Sequence, residues 1–189
     1  MSEAKDIQQS VESQGSTEET EETVTATREW DIHQAVDVSI ANSAAEELRH
    51  SSTSYPAQSS GPHFPFRPLE KVSAVENVVN AWMMSRSNIE RVRTKFKRNT
   101  TIEQTNLLSA WHPIVINPMP QPGTLRGIAP DKKKVAVVTA LGKLSHSNGL
   151  FLGKTVEMDS GQDVVFGGEE PITFPGSGGG LAILLLLNI

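Results

Sequence analysis

The residues in this chain able to do chemistry are few and scattered. Its five histidines, His33, His50, His63, His112 and His146, include no two at the spacing by which zinc hydrolases present a pair of imidazoles on one helical face. Each reads as a surface or packing residue. Cysteine is absent, which removes disulfides and every thiolate metal site and favours an intracellular setting. Ser145-His146 places a hydroxyl beside an imidazole, but neighbours along a strand point to opposite faces, so adjacency argues against a nucleophile–base pair. Asp159-Ser160-Gly161-Gln162-Asp163 holds two acids in a turn without the further oxygen ligands of a calcium loop. Gly149-Leu150-Phe151-Leu152-Gly153-Lys154-Thr155 approaches a phosphate-binding P-loop. That motif needs four residues between its glycines and a helix behind them; here three intervene and the surroundings read as strand. Gly176-Ser177-Gly178-Gly179-Gly180 lacks the dinucleotide-binding spacing. No catalytic, cofactor-binding or metal-ligating residue is therefore expected, no cofactor and no small-molecule substrate is inferred, and the chain is expected not to be an enzyme.

Two constellations suit binding instead. Arg86, Arg91, Arg93, Lys95, Lys97 and Arg98 cluster on one helical segment, with Arg91, Lys95 and Arg98 on one flank and Arg86, Arg93 and Lys97 on the other. Such a helix suits nucleic-acid phosphates or an anionic membrane while its apolar stripe faces inward. Pro62-His63-Phe64-Pro65-Phe66-Arg67 fits the PxxPxR pattern, in which Pro62, Pro65 and Arg67 would address a polyproline-binding module; the plainer reading is an arm anchored by Phe64 and Phe66.

These groups depend on the elements that carry them. Val75, Val78, Trp82, Ser85, Ile89, Val92 and Phe96 alternate at spacings of three and four, which predicts one long amphipathic helix with a continuous stripe. Ser73-Ala74-Val75-Glu76 fits a capping box, with a start just after Pro68 as the alternative. A short helix carrying Ile102, Leu107, Leu108 and Trp111 is expected to stop before Pro113. Beyond it, Ile114–Ile116, Val135–Leu141, Val164–Phe166, Ile172–Phe174 and Leu181–Leu187 read as strands, the second apolar on both faces and hence buried. Asn148-Gly149 signals a hairpin from Lys143–Ser145 to Leu150–Met158, with Gly153 at a bulge. Within residues 30–50, Trp30–Ile40 suggests a short alternating strand and Ser43–Arg49 two helical turns.

Composition sets the frame. In 189 residues, hydrophobic content is 37%, and the deficit is local. Residues 1–29 carry eight acids against Lys5 and Arg28, too polar to offset the entropy of ordering a backbone, and are expected to be disordered. The net charge of -5 thus hides a dipolar chain, acidic at its start and basic at the helix. The N-terminus lacks the pattern of a signal peptide, and Leu181–Leu187 is too short to span a bilayer, so an intracellular or virion location is expected.

The expectation is an α+β protein in two parts: a disordered or extended arm, 1–68 (acidic 1–29, Ser/Pro-rich 51–68), and a helix plus small antiparallel β domain, 69–189. Its apolar stripe (Val75, Val78, Trp82, Ile89, Val92 and Phe96) and its C-terminal strand are expected to exceed what so small a fold can cover. The expected function is therefore structural: a homo-oligomer of the virion shell, matrix or scaffold kind, with nucleic-acid or anionic-membrane binding through residues 86–98 as the rival, and presentation of a PxxPxR ligand at 62–67 as a further one.

Overall fold

The computed structural model describes residues 30–51, 65–96, 104–118, 121, 123–129, 134–174 and 176–188. The acidic segment 1–29, most of the Ser/Pro-rich stretch, and with them Pro62, Lys97 and Arg98, lie outside the described residues. The architecture is α+β: helices on one side, and two antiparallel sheets stacked behind them.

The larger sheet has six strands: β1 (Ile32–Gln34), β2 (Phe66–Pro68), β3 (Leu108–Ile116), β5 (Lys134–Ala140), β8 (Gln162–Gly167) and β10 (Leu181–Asn188), in the spatial order β1-β8-β5-β10-β3-β2. The smaller contains β4 (Gly123–Leu125), β6 (Leu150–Phe151), β7 (Thr155–Val156) and β9 (Ile172–Phe174), in the order β4-β9-β6-β7. On the outer face of the larger sheet lie α1 (Val38–Ser51), α2 (Ser73–Met84) and α3 (Arg86–Phe96); a single turn, α4 (Gln104–Leu107), leads into β3.

Strand alternation explains why the larger sheet reads as continuous apolar sequence. Val135, Val137, Leu141, Val165, Leu181, Ile183, Leu185 and Leu187 join the helices in one core. Ala136, Val138, Ala140, Val164, Phe166, Ala182 and Leu184 point the other way and meet Leu150, Val156, Ile172 and Phe174 on the smaller sheet, with Met158 beside them. A sheet covered on both faces has no polar side, so its strands lose the period-two signature. The edges are stitched as well. Trp30 donates its indole N–H to the Leu152 carbonyl at 2.7 Å, and at the opposite edge Phe66 meets Phe174 with ring centroids 5.7 Å apart.

Burial answers the question of excess apolar surface. β10 is an inner strand, hydrogen-bonded to β5 on one side and β3 on the other, and Leu181–Leu187 is buried throughout except for a half-buried Leu186. Val75, Val78, Trp82, Ile89 and Val92 are also buried within the chain, and Phe96 is half-buried against the same core. The surfaces assigned to sister subunits are covered internally.

Several local expectations are corrected. The single long helix is two helices, because Ser85 is extended (φ −75°, ψ 107°). Its own amide reaches the Trp82 carbonyl at 3.2 Å, while its carbonyl accepts from Ile89 at 3.3 Å and its hydroxyl from the Asn88 amide at 3.4 Å. Ser85 thus starts the second helix, as a short polar side chain favours. The capping box at Ser73 does not form. The first turn of α2 is satisfied from α1, where the Glu47 carboxylate accepts the Ala74 amide at 3.0 Å. Leu108–Ile116 is strand rather than helix, and Pro113 sits within it. The Asn148-Gly149 turn is real, with Asn148 Oδ1 accepting the Ser145 amide at 2.9 Å, but the hairpin lies further on: β6 and β7 meet across Gly153 (φ +74°), and Leu144 and Met158 form only an isolated bridge. Residues 30–51 and 65–68, placed in the arm by the sequence, supply β1, α1 and β2.

Candidate functional site

The clearest polar constellation lies where α3 crosses β1, β8 and β5. Antiparallel pairing sets His33 opposite Asp163 and Asp163 opposite Thr139. Residues directly opposite share a face, so the three form a row across the sheet on its helix-covered side. The register depends on Gly161, whose carbonyl accepts the Ala35 and Val36 amides at 3.0 and 3.1 Å. At Gly161 φ is +81°, and a Cβ would stand 2.3 Å from the Val36 carbonyl oxygen, so only glycine lets the two segments close.

Asp163 is fully buried and is the centre of the cluster. Trp82 donates its indole N–H to Oδ2 at 2.7 Å, and Arg91 Nη2 reaches both carboxylate oxygens at 2.6 Å. Burial pushes the Asp163 carboxyl above the ordinary carboxylate range; the Arg91 charge, the hydrogen bonds from Arg91 and Trp82, and the nearby His33 pull the other way. One turn before Arg91, Asn88 donates to the Ala35 carbonyl at 3.0 Å and the Trp82 carbonyl at 3.3 Å. One turn after it, Lys95 donates to the Val165 carbonyl at 2.6 Å and lies over the Trp30 ring, 5.4 Å from its centroid.

Four buried polar atoms here have no protein partner: Asn88 Oδ1, Arg91 Nε, Arg91 Nη1 and Thr139 Oγ1. Such atoms are expensive to leave unmatched. The Arg91 side chain keeps 14% of its surface exposed, so the cluster reaches the outside along that residue.

The basic helix is therefore divided. Arg91 and Lys95, expected on an outward flank, turn onto the sheet and engage Asp163 and Val165. Arg86 stays exposed, and Arg93 pairs with Glu90 at 3.4 Å. The polyproline reading loses its footing: Pro65 is buried and Arg67 belongs to the edge strand β2. His112 and His146 are exposed on the surface, and His50 Nδ1 lies 2.7 Å from its own helix's Glu46 carbonyl. Gly149–Thr155 forms turn and hairpin with no following helix, so it is not a phosphate loop. Among the described residues, no three His, Cys, Asp or Glu side chains lie together as a metal site would need, and no helix is long and apolar enough to cross a membrane. Two shallow grooves flank the helices. One of about 370 Å³ is lined by Ser39, Ile40, Ser43, Ala74 and Asn77, the other of about 290 Å³ by Met84, Arg86, Ile89, Glu90 and Arg93.

Asp163, Asn88 and Thr139 were not anticipated as site residues, and Trp82 was anticipated only as a member of the apolar stripe. Thr139 is the one polar residue in Val135–Leu141, and Asp163 directly precedes the apolar run Val164–Phe166. Each is a faint signal alone. Only the strand register makes them neighbours.

No family model matches the chain, and no curated protein matches it. Among solved structures it is similar to a prolyl-4-hydroxylase of Pseudomonas putida, at 15% identity and a TM-score of 0.49, covering 86% of this chain and 94% of that one. It is similar also to EvdO2 from Micromonospora carbonacea var. aurantiaca, solved with 2-oxoglutarate, at 10% identity and a TM-score of 0.49, covering 85% and 86%. The expectations of a non-enzymatic, self-assembling virion protein and of an RNA-binding one are corrected on physical grounds: Trp82 and Leu181–Leu187 are covered within one chain, and Arg91 and Lys95 are engaged inward.

Proposed function

We propose that this chain is a ligand-binding domain whose site is the Arg91 cluster and whose ligand is a compact oxyanion, a carboxylate or a phosphate. The observation that carries the reading is Arg91 itself. Only one of its three guanidinium nitrogens holds Asp163, while Nε and Nη1 are buried without partners. A guanidinium presents its N–H groups in a rigid fork suited to oxyanions. The charges agree: Arg91 and Lys95 oppose one buried acid, Asp163, which leaves a surplus positive charge for an anion to neutralise. Thr139 Oγ1 adds a donor and Asn88 Oδ1 an acceptor, so a ligand carrying a hydroxyl beside its anionic group matches the set best.

The test is thermal unfolding in sodium formate, acetate or phosphate at about 10 mM, with ionic strength matched by chloride, because a ligand that binds only the folded state raises the midpoint, the more so the further its concentration exceeds its Kd. The carboxylate and phosphate arms separate the two sources of the chemistry. Arg91→Lys keeps a cation for Asp163 but removes the spare donors, and should abolish the response; Thr139→Val, a change of similar shape, should weaken it. If no anion exceeds chloride, or if Arg91→Lys responds as the parent does, the cluster is a hydrated pin between helix and sheet and the proposal fails.

A further inference from the structure

The outer side of α3 carries an observation that the Arg91 cluster does not use. Met84 is 80% exposed, the most exposed large apolar side chain among the described residues. It lines the groove of about 290 Å³ together with Arg86, Ile89, Glu90 and Arg93. Two guanidiniums and one carboxylate border that groove, so its net charge is positive.

We infer that this groove is the docking surface for the chain's own acidic segment, residues 1–29, with Glu18, Glu19, Glu21 and Glu22 meeting Arg86 and Arg93. Charge complementarity is the first argument. That segment has eight acids against two bases, and four of the acids fall within five residues.

Position is the second. The described chain begins at Trp30, whose ring lies under Lys95 near the C-terminal end of α3. Ala35, a few residues on, accepts from Asn88 near the start of the same helix. The described chain therefore starts beside α3. From Lys95 back to Arg86 is about 14 Å at 1.5 Å per residue. Eight residue steps separate Glu22 from Trp30, a tether with a reach on the order of 16 Å at roughly 5–6 Å times the square root of the number of steps. A tether whose length matches the span gives the highest effective concentration, so the contact needs little intrinsic affinity.

The absence of cysteine makes the test direct, because Ser16→Cys gives the full-length chain one attachment point for a nitroxide. Paramagnetic broadening of backbone amides then reports what the acidic segment touches. A companion chain with Glu18, Glu19, Glu21 and Glu22 all changed to Gln has the same length and sets the broadening that tethering alone produces. In about 20 mM salt, the acidic chain should broaden the amides of Met84–Arg93 at least about twofold more than its Gln companion, and the excess should vanish near 500 mM salt, where screening is nearly complete. Arg86→Glu with Arg93→Glu, both on the outer flank, should remove the same excess. Equal broadening in the acidic and Gln chains overturns the inference. So does excess broadening that appears when the nitroxide is on a separate, isotopically silent copy, because the occupant is then a second molecule.

Discussion

Replacing Arg91 by Met keeps the apolar stem of the side chain and deletes its charge. Asp163 is then a fully buried carboxylate whose remaining side-chain bond is from Trp82. With the charges about 4 Å apart and an effective dielectric near 20, the lost attraction is about 4 kcal/mol, in line with the ~3–5 kcal/mol seen when one partner of a buried pair is removed. For a chain of this size that corresponds to a fall of about 8–16 °C in the midpoint. Urea unfolding followed by tryptophan fluorescence measures it, with Trp82 inside the cluster as the reporter. The pH dependence gives an independent check. Burial already raises the Asp163 pKa in the folded chain, and removing Arg91 raises it further. An acid with a raised folded pKa binds its proton more readily folded than unfolded, so stability grows as pH falls through that value and the gain is complete below the unfolded value, about 3.9. The deficit of Arg91→Met should therefore be largest near neutrality and shrink on acidification. Adding Asp163→Asn to Arg91→Met should recover most of it at pH 7, since the neutral amide still accepts from Trp82. A deficit under about 0.5 kcal/mol, a deficit constant with pH, or a double variant no better than Arg91→Met would each refute this account.

Two further outcomes are expected. Leu185→Ala truncates an inner strand at a buried position against the helices, and should cost about 2–5 kcal/mol in urea unfolding, where a cost near that of a surface change would show that β10 is not held as described. Asp37 sits before α1, where hydrogen bonds from the Ser39 hydroxyl and amide hold its carboxyl below the ordinary carboxylate range. Its stabilisation is present above about pH 4 and lost as pH falls further, so Asp37→Asn should be less stable than the parent at pH 6 and indistinguishable from it at the acid end of a pH series of unfolding midpoints.

How far the sequence carried depends on which physical signal each element left. Val135–Leu141 and Leu181–Leu187 were legible as strands because a short apolar run bounded by glycine suits little else. That the second run is inner, and so needs no second chain, was not legible. Apolar content states that a segment is covered and is silent about what covers it. The 3–4 stripe likewise located the helical residues and their buried face. Ser85 was the one polar member of that stripe, and its polarity marked the boundary between two helices. Val38–Ser51 was only half seen, because its buried face is Ala41, Ala44, Ala45 and Leu48, and alanine leaves almost no hydrophobic signature.

The basic residues of α3 show the limit most plainly, and also how the two proposals are kept apart. A helical wheel through residues 75–96 assumes one continuous helix, and an extended residue at position 85 breaks its phase. After the break, Asn88 is buried, while Arg91 and Lys95 face the sheet and Arg86 and Arg93 face outward. The two flanks, Arg91 with Lys95 and Arg86 with Arg93, thus meet different surroundings and do different work. The inner pair lies against Asp163 and the Val165 carbonyl, in a setting where charge is matched by hydrogen bonds and salt has little access. The outer pair stands at the surface, Arg86 exposed and Arg93 partly so, where attraction is readily screened by salt. Arg91→Lys should therefore change the response to formate, acetate or phosphate and leave the salt-dependent broadening of Met84–Arg93 intact, and Arg86→Glu with Arg93→Glu should do the reverse. One substitution set disturbing both would mean that α3 acts as a single electrostatic surface, and that the separation of its two flanks has no functional consequence.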